Sequence, residues 1–312
     1  MLLYAQYAIM VALGATVLSS IGYIWAAVQG HQLVTKGAQK KARVLVAGDL
    51  VDDLEALDAA PAPTRRVSGP LPATIAKYAS WLAWGALGML TLALVLRTVE
   101  TGRGPFVTQH EFAVSMAWGF LVMYLFFEWK YRARTLALVA LPMTVVIQLY
   151  ALSWDSTANP LVPALQNSFL LTLHILVAIF AYGAFLVSFA AAVLYLIDSY
   201  FPGKVSHLLP KADVLDRLGY RATVIGYPLM TMVIVLGAVW AEIAWGRYWS
   251  WDPKETASLV TWLIYGGYLH ARVARGWVGR GAAWLLVIAF ASVIFTFFGN
   301  AIFGGLHSYG VV

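Results

Sequence analysis

The residues best suited to chemistry lie in one short stretch, 240–255, between two long apolar runs. Its large aromatic side chains are Trp240, Trp245, Tyr248, Trp249 and Trp251. Flat rings spaced this closely are suited to stacking on a large, flat ligand. The alternative is an aromatic belt at a membrane surface, where Trp and Tyr are enriched. A belt does not require this clustering, so the stretch predicts an aromatic shelf that binds a ligand.

The end of the same stretch predicts the start of a helix. Asp252 is a favoured N-cap residue, Pro253 fits the first helical position, and Glu255 follows the cap by three residues. The N-terminus of a helix carries a partial positive charge and therefore favours a nearby anionic group. The alternative interpretation is an ordinary capped transmembrane helix that follows the aromatic belt.

Two of the six histidines have a setting that suggests a ligand. His174 lies inside a long apolar run, where an ionisable group is costly and usually faces a cavity or a ligand. His307 follows the last apolar run, in a segment that contains Gly304 and Gly305. The alternatives are a hydrogen bond from His174 to a neighbouring helix and an exposed C-terminal position for His307.

A third histidine, His270, lies in a different part of the predicted bundle. It follows Asp252 by 18 residues, which places it about 27 Å farther along a helix. Arg272 marks the membrane surface next to it. His270 therefore cannot share a metal with the first two, and it would serve a second site whose other imidazole comes from another subunit. The alternative is an interfacial histidine, and the remaining three, His31, His110 and His207, are expected to be solvated surface residues.

The composition restricts the class of protein. Of 312 residues, 61% are hydrophobic and 12% are charged, against about 45–50% and about 25% in soluble domains. The chain is therefore predicted to be an all-α polytopic membrane helix bundle. The absence of cysteine excludes disulfides, iron–sulfur clusters and cysteine nucleophiles. The net charge of +6 reflects membrane orientation and does not indicate a nucleic-acid partner.

A window of about 20 apolar residues spans a bilayer, and such segments are helices because a membrane satisfies no backbone hydrogen bonds. On this rule the chain is one integral membrane domain, 1–312, with about eight spans. The first apolar run has no basic region before it, so we interpret it as a permanent helix. The predicted spans are residues 4–28, 75–97, 111–128, 133–152, 168–197, 222–243, 256–272 and 282–303.

The basic residues between the spans predict the orientation of the bundle. Seventeen Lys and Arg residues lie in or beside one set of loops, and four lie on the opposite side. Because cytoplasmic loops carry the excess of basic residues, both termini are expected to be extracytoplasmic. The segment 29–74 then becomes a cytoplasmic connector loop, and 244–256 becomes an extracytoplasmic segment.

This orientation brings the chemically interesting residues to one side. His174, His307 and the shelf from Trp245 to Trp251 all fall on the outer face. Two neutral imidazoles that approach from opposite sides are suitable axial ligands for a haem iron, and aromatic rings would stack on the porphyrin. Arg247, Lys254 or the helix start at Asp252 could meet the propionates. Zinc would require further ligands, and His110 is the only other histidine on this side.

Three motifs make the chain resemble a known family. They are Trp245-Gly-Arg-Tyr-Trp-Ser-Trp-Asp-Pro-Lys-Glu255, Tyr268-Leu-His-Ala-Arg272 and Leu306-His-Ser-Tyr-Gly310. With them the chain resembles the tryptophan-rich "WWD" haem-handling family of cytochrome c biogenesis, and most closely its CcsA/ResC-type members from system II. The resemblance is strongest over 168–310. One departure is Ala257, where many relatives carry a further tryptophan.

The resemblance implies a function and a set of site residues. Haem b would be a transient substrate, exported and presented at the outer face for covalent attachment to the CXXCH cysteines of an apocytochrome c. The implied partners are a CcsB/ResB-like membrane subunit and the lipid bilayer, with the bacterial plasma membrane as the expected location. The implied metal ligands are His174, His307 and His270, and the implied haem-binding residues are Trp245, Arg247, Tyr248, Trp249, Trp251 and Asp252.

Catalysis and two rival functions stay open at this point. The resemblance implies a subunit of a cytochrome c haem lyase, but no side chain has the setting of a nucleophile. We therefore expect the chain to act by positioning its reactants. The rivals are a membrane cytochrome that holds haem permanently for electron transfer, and a haem-delivery subunit of the CcmC type.

Overall fold

The computed structural model of the chain describes residues 1–47, 73–158, 168–202 and 208–307. Within these ranges it contains eight α-helices and a single turn of 3₁₀-helix, Arg134–Leu136. The prediction of an all-α polytopic bundle is confirmed. The helices are α1 (Leu2–Ala47), α2 (Ala73–Thr101), α3 (Gln109–Tyr131), α4 (Ala137–Leu152), α5 (Ser168–Tyr200), α6 (Ala212–Trp245), α7 (Pro253–Arg275) and α8 (Arg280–Phe303).

Each predicted span lies on one of these helices, and α7 differs from the others in composition. In the described part of the chain, seven helices are long and apolar enough to cross a membrane, and α7 is not among them. It has 23 residues, which is long enough to span. Its ends carry Lys254, Glu255, Arg272 and Arg275, and these charges lower its mean hydropathy.

The boundaries of the predicted connector, 29–74, differ from the structure. Helix α1 continues to Ala47, so the first part of that segment is helical rather than a loop. Residues 48–72 lie outside the described part of the chain, and α2 begins at Ala73. The segment 244–256, which is predicted to be extracytoplasmic, comprises the end of α6, a non-helical stretch and the first turn of α7.

Small residues let the central helices approach closely. α3 packs against α2, α4 and α5, while α1 pairs with α2 and α5 pairs with α6. A Cβ atom at Gly119 of α3 would lie 2.1 Å from Cγ2 of Ile179 on α5, and one at Gly183 would lie 2.7 Å from the Gly119 carbonyl oxygen. Such contacts are typical of helix packing in membranes. They fix α5, and with it His174, against the bundle centre.

Helices α1, α3, α5 and α7 begin at one end of the bundle, which we call the site end. There the N-terminal amino group of Met1 lies 3.8 Å from Oε2 of Glu100 at the end of α2. Arg97 of α2 donates to Glu111 of α3, with 2.7 Å between Nε and Oε1, and to the Ser156 carbonyl oxygen after α4. Residue 1 and residue 307 therefore lie at the same end.

Candidate functional site

A cavity that is partly open to solvent lies at the site end, between α3, α5, α6 and α7, and the space between its walls, open solvent included, is about 1130 Å³. Sites for small molecules and cofactors are typically clefts with mostly apolar walls and few polar groups. The described residues that line this cavity are Phe106, Val107, Thr108, Gln109, Phe112, Leu171, His174, Ile175, Ala178, Tyr182, Val233, Ile234, Gly237, Ala238, Trp240, Tyr248, Trp249, Lys254, Glu255, Ser258, Thr296 and His307.

His174 reaches this cavity from α5, close to the start of the helix. Its ring packs against Gly237 of α6, where an added Cβ atom would lie 2.8 Å from Cε1 of the imidazole. Glycine at 237 therefore makes the space that the ring occupies. The Nδ1 atom is buried and forms no hydrogen bond of normal geometry with any described residue. A buried polar atom without a partner is costly, so this nitrogen is suited to a ligand.

His307 reaches the same cavity from the segment after α8. Gly305 has a φ of +129°, and a Cβ atom there would lie 2.3 Å from Oδ1 of Asp252. Only glycine permits both this backbone conformation and this close approach. The Leu306 N–H donates to Oδ1 of Asp252 at 2.7 Å, and Nδ1 of His307 donates to Oδ2 at 2.8 Å.

Asp252 anchors this arrangement because it caps α7 at the same time. Its side chain accepts from the Lys254 N–H, and Glu255 accepts in return from the Asp252 N–H, so the predicted capping box and the proline at the first position are confirmed. Burial acts to raise the pKa of Asp252, but the hydrogen bond from His307 and those from the backbone N–H groups of Lys254 and Leu306 hold that pKa below its usual value.

The electrostatics of His307 suit a metal ligand. Burial lowers the pKa of His307, against the opposing effect of the hydrogen bond to Asp252. The ring is therefore neutral at physiological pH, and neutral imidazole is the form that binds metals. Metal-bound histidines usually donate their other N–H to a carboxylate or a carbonyl. His307 already makes this contact through Nδ1, so Nε2 is the nitrogen that would coordinate iron.

The aromatic residues of the 240–251 stretch divide into two groups. Trp245 packs edge-on against Trp240, with centroids 4.8 Å apart, and against His307, with centroids 4.9 Å apart. It therefore supports the histidine from behind the cavity wall. Tyr248 and Trp249 line the cavity itself. Trp251 contacts Trp249 edge-on at 5.7 Å but is 69% exposed and has a φ of +60°.

The predicted site residues therefore fall into three positions. The structure brings His174, His307, Tyr248 and Trp249 together around one cavity. Trp245 and Asp252 contact His307 and act on the cavity through it. The side chains of Arg247, Trp251 and His270 do not line the cavity.

His270 lies apart from the cavity, toward the opposite end of α7. It is exposed, on a face of the helix that it shares with Val260, Leu263 and Gly267. Its position agrees with the expectation that it cannot share a metal with His174 and His307. Among the described residues, no group of three or more His, Cys, Asp and Glu side chains is arranged to hold a metal ion.

Sequence reasoning misplaced one histidine and missed one wall of the cavity. His110 is 2% exposed, and its Nδ1 lies 2.8 Å from the Ala151 carbonyl oxygen, so the expectation of a solvated surface residue is wrong. Burial comes from the packing of α3 against α4. The missed wall comprises Phe106 to Phe112. The sequence signals only the helix start within it, because Thr108 followed three residues later by Glu111 is the signature of a capping box.

Comparison with known proteins finds a matching family and relatives of similar length. Residues 107–307 match the family described as "Cytochrome C assembly protein". The chain is 33% identical over 263 residues to the "Cytochrome c biogenesis protein CcsA" of Guillardia theta, covering 75% of this chain and 87% of the relative. It is 34% identical over 291 residues to the protein of the same name in Picosynechococcus sp., covering 72% and 86%.

A solved structure shares the fold. The "Cytochrome c Heme Lyase CcmF" superposes with a TM-score of 0.61 at 16% sequence identity. The match covers 95% of this chain and 46% of that one, so the chain spans about half of the lyase. At this identity the likeness concerns the fold alone.

Proposed function

The chain belongs to the cytochrome c assembly protein family, and from this premise we propose that it handles haem for the maturation of c-type cytochromes. The chain is an integral membrane protein. In our proposal it receives haem b as a transient substrate and presents it at the outer face of the bacterial plasma membrane. Both termini and the segment 244–256 lie on that face.

One observation carries the proposal. His174 and His307 are far apart in the sequence, yet they line one cavity together with Tyr248 and Trp249. Aromatic side chains in the cavity walls suit a flat macrocycle, and the few polar groups among them are typical of a cofactor site. We therefore assign His174 and His307 as the two axial ligands of the haem iron in this pocket.

The surrounding residues keep the two imidazoles in position. Asp252 accepts a hydrogen bond from Nδ1 of His307, which fixes the tautomer and leaves Nε2 to coordinate. Trp245 packs against the same ring. Gly237 of α6 leaves open the space that the His174 ring occupies. Since these contacts exist before the substrate arrives, little ordering is required when haem binds.

The attachment chemistry requires two thiols that this chain does not contain. An apocytochrome c with a CXXCH sequence would supply them, and each thiol would add across one haem vinyl group to form a carbon–sulfur bond. The contribution of this chain is to hold haem in a fixed orientation while the thiols approach. Holding two reactants in this way makes a bimolecular step effectively unimolecular and supplies much of the rate enhancement. Activity as a haem lyase is then a property of the assembled complex.

His270 and the partner subunit complete the proposal. His270 is exposed on α7, on a face that also exposes Leu263. A CcsB/ResB-like membrane subunit would pack on this face and supply a second imidazole, so that haem passes from an inner site at His270 to the outer pocket. The two rival functions, electron transfer and CcmC-type delivery, are not favoured, because the relatives are CcsA proteins of cytochrome c biogenesis.

The ligand assignment is tested with the purified chain in detergent. We expect bound haem to give a strong Soret band in the wild type and in the His270→Ala variant, which leaves the outer pocket intact. The double variant His174→Ala/His307→Ala is expected to lose this band. If the double variant retained full haem absorption while remaining folded, the assignment of the two ligands would be wrong.

Dependence on the partner is tested in cells. We expect covalent haem on a reporter apocytochrome only when this chain is co-expressed with a CcsB/ResB-like subunit. Replacing both cysteines of the reporter CXXCH with serine should abolish attachment and leave haem in the pocket unchanged. Full attachment without any partner subunit would contradict this part of the proposal.

A further inference from the structure

A single lysine, Lys254, projects into the haem pocket from the first turn of α7. Its ammonium nitrogen lies 5.0 Å from the centroid of the Phe112 ring, which forms the facing wall on α3. Such a cation–π contact contributes about 0.5–2 kcal/mol. Within the described residues, the ammonium group forms no salt bridge.

The two carboxylates next to Lys254 in the sequence are already bonded to other groups. Asp252 accepts from Nδ1 of His307 and from two backbone N–H groups. Glu255 accepts from the backbone N–H of Ser250 at 2.8 Å and from that of Asp252 at 3.2 Å. Within the described part of the chain, the cation in the pocket wall therefore has an aromatic neighbour but no carboxylate that forms a salt bridge with it.

A cation in this setting is stabilised by an anionic ligand. Burial lowers the pKa of Lys254 to about 8, and Asp252 only partly opposes that effect. Charges removed from water are normally paired, because an unpaired one bears the full cost of desolvation. A carboxylate that entered the pocket with its ligand would remove this cost for Lys254.

The other two candidates for an anion contact fit less well. Arg247 is exposed and does not line the cavity. The N–H group of Lys254 at the start of α7 is bonded to the Asp252 side chain. A further donor in the same wall is Nε1 of Trp240, which is buried and has no hydrogen-bond partner among the described residues.

We propose that Lys254 forms a carboxylate subsite in this pocket and binds a propionate group of haem. This inference rests on the proposed haem function. The two propionates of haem lie at one edge of the ring, and the vinyl groups occupy other positions on its periphery. An ion pair with Lys254 would therefore fix the propionate edge of the ring in the pocket, and so keep the half of the ring that carries the vinyl groups away from Lys254.

The test compares haem with haem dimethyl ester, in which both carboxylates are neutral. Each is titrated into the purified full chain in detergent, and the dissociation constant is read from the Soret band. We expect the wild type to prefer haem over the diester by at least about tenfold, the effect of one hydrogen bond between charged groups. Lys254→Gln should remove the preference by weakening the binding of haem, with little change for the diester.

Two matched variants complete the design. Lys254→Arg keeps the charge and should retain the preference for haem, which shows that a loss in Lys254→Gln does not come from misfolding. Arg247→Gln removes a cation of the same segment that lies outside the cavity, and it should also retain the preference. If Lys254→Gln kept the preference of the wild type, Lys254 would not be the carboxylate subsite.

The outcomes separate this inference from the proposed function. Suppose that haem binding depends on His174 and His307 but that Lys254→Gln discriminates haem from the diester as the wild type does. The haem site would then stand, and the subsite alone would be wrong. If the wild type bound neither compound through these histidines, the proposed function would fail, and the subsite would fail with it.

Discussion

Two helices at the site end, α3 and α7, begin with the same local device, a capping box. At α3 the side chain of Thr108 caps the helix, and the side chain of Glu111 accepts in return from the Thr108 N–H. At α7 Asp252 and Glu255 have the corresponding roles. Both starts border the same cavity, yet their carboxylates have different partners.

At the start of α3 the buried carboxylate is paired with cations of the chain. Glu111 is fully buried and accepts from Nε of Arg97 at 2.7 Å and from Nη1 of Arg103 at 3.0 Å. It also accepts from the backbone N–H groups of Val107 and Thr108. These contacts fix the loop before α3, which forms one wall of the cavity.

At the start of α7 the charges are directed toward the cavity. Asp252 holds His307 at the cavity wall, and Lys254 has no carboxylate partner among the described residues. The difference teaches that one capping device can serve two purposes. At α3 the carboxylate of the box is paired with two arginines and holds a loop, and at α7 the carboxylate of the box holds His307 beside a lysine that lacks a carboxylate partner among the described residues.

The largest effect is expected when the cluster of Arg97, Arg103 and Glu111 is broken. Glu111→Gln leaves Arg97 and Arg103 buried with too little negative charge. Removing one partner of a buried ion pair costs about 3–5 kcal/mol, so we expect a loss of that order in the free energy of unfolding, measured by denaturant titration in detergent. Haem bound per folded molecule should change little.

The matched control for this prediction is the exposed pair of Arg217 and Asp213. Asp213→Asn should cost less than about 1 kcal/mol, as exposed ion pairs do. A Glu111→Gln variant as stable as Asp213→Asn would show that the α3 cluster is not the structural element that we describe.

The second prediction concerns the carboxylate at α7. Asp252→Asn keeps a good N-cap residue, so its stability should stay within about 1 kcal/mol of the wild type. The charge that orients His307 is lost, and removing such a partner typically weakens metal binding by about 10–100-fold. Haem titration followed at the Soret band measures the effect.

An exposed aspartate at the same end gives the comparison for Asp252. Asp155 bonds only to Thr157 within the described residues, and Asp155→Asn should leave haem affinity unchanged. If Asp252→Asn instead lowered stability as much as Glu111→Gln does, the two helix starts would be equivalent, and the distinction between them would be lost.

The third prediction tests the close approach of the C-terminal segment to α7. In Gly305→Ala, the new Cβ atom would lie 2.3 Å from Oδ1 of Asp252, so the segment must move and carry His307 with it. We expect haem affinity to fall by about tenfold, equivalent to about 1.4 kcal/mol. The measurement is the same haem titration.

A second glycine separates this clash from backbone strain. Gly276, at the end of α7, also has a positive φ of +61°, but an added Cβ atom there meets nothing within 4 Å. Gly276→Ala should reduce stability slightly and leave haem affinity unchanged. Equal losses of haem affinity in both variants would mean that the contact at Gly305 does not position His307.

The parts of the structure that the sequence predicts well are local. The helix start at Asp252, Pro253 and Glu255 is confirmed because capping depends on neighbouring residues. Seven of the eight long helices in the described part of the chain follow from apolar windows of about 20 residues, and α7 is the exception. The predicted span 4–28 agrees with the apolar part of α1, Leu2–Gln29, and the helix itself continues to Ala47, past that apolar window.

The parts that the sequence predicts poorly depend on how helices pack. The burial of His110 arises from its contact with Ala151 on α4, and no periodicity within α3 reveals it. Sequence alone offered Arg247 and Lys254 equally as anion partners, and only the three-dimensional arrangement separates the exposed arginine from the lysine in the cavity. Asp252 both caps α7 and accepts a hydrogen bond from His307, and this double role is likewise a property of the fold.

The smallest expected effect concerns Thr108, which belongs to both regions because it caps α3 and lines the cavity. Thr108→Ala removes the cap and should cost about 1 kcal/mol of stability. Thr108→Ser keeps a hydroxyl and should cost less. If the α3 start serves only to hold the loop, haem affinity should stay within about twofold of the wild type in both variants. A larger loss of affinity in Thr108→Ala alone would mean that the cap also orders the cavity wall. The start of α3 would then contribute to haem binding as well as to the stability of the fold.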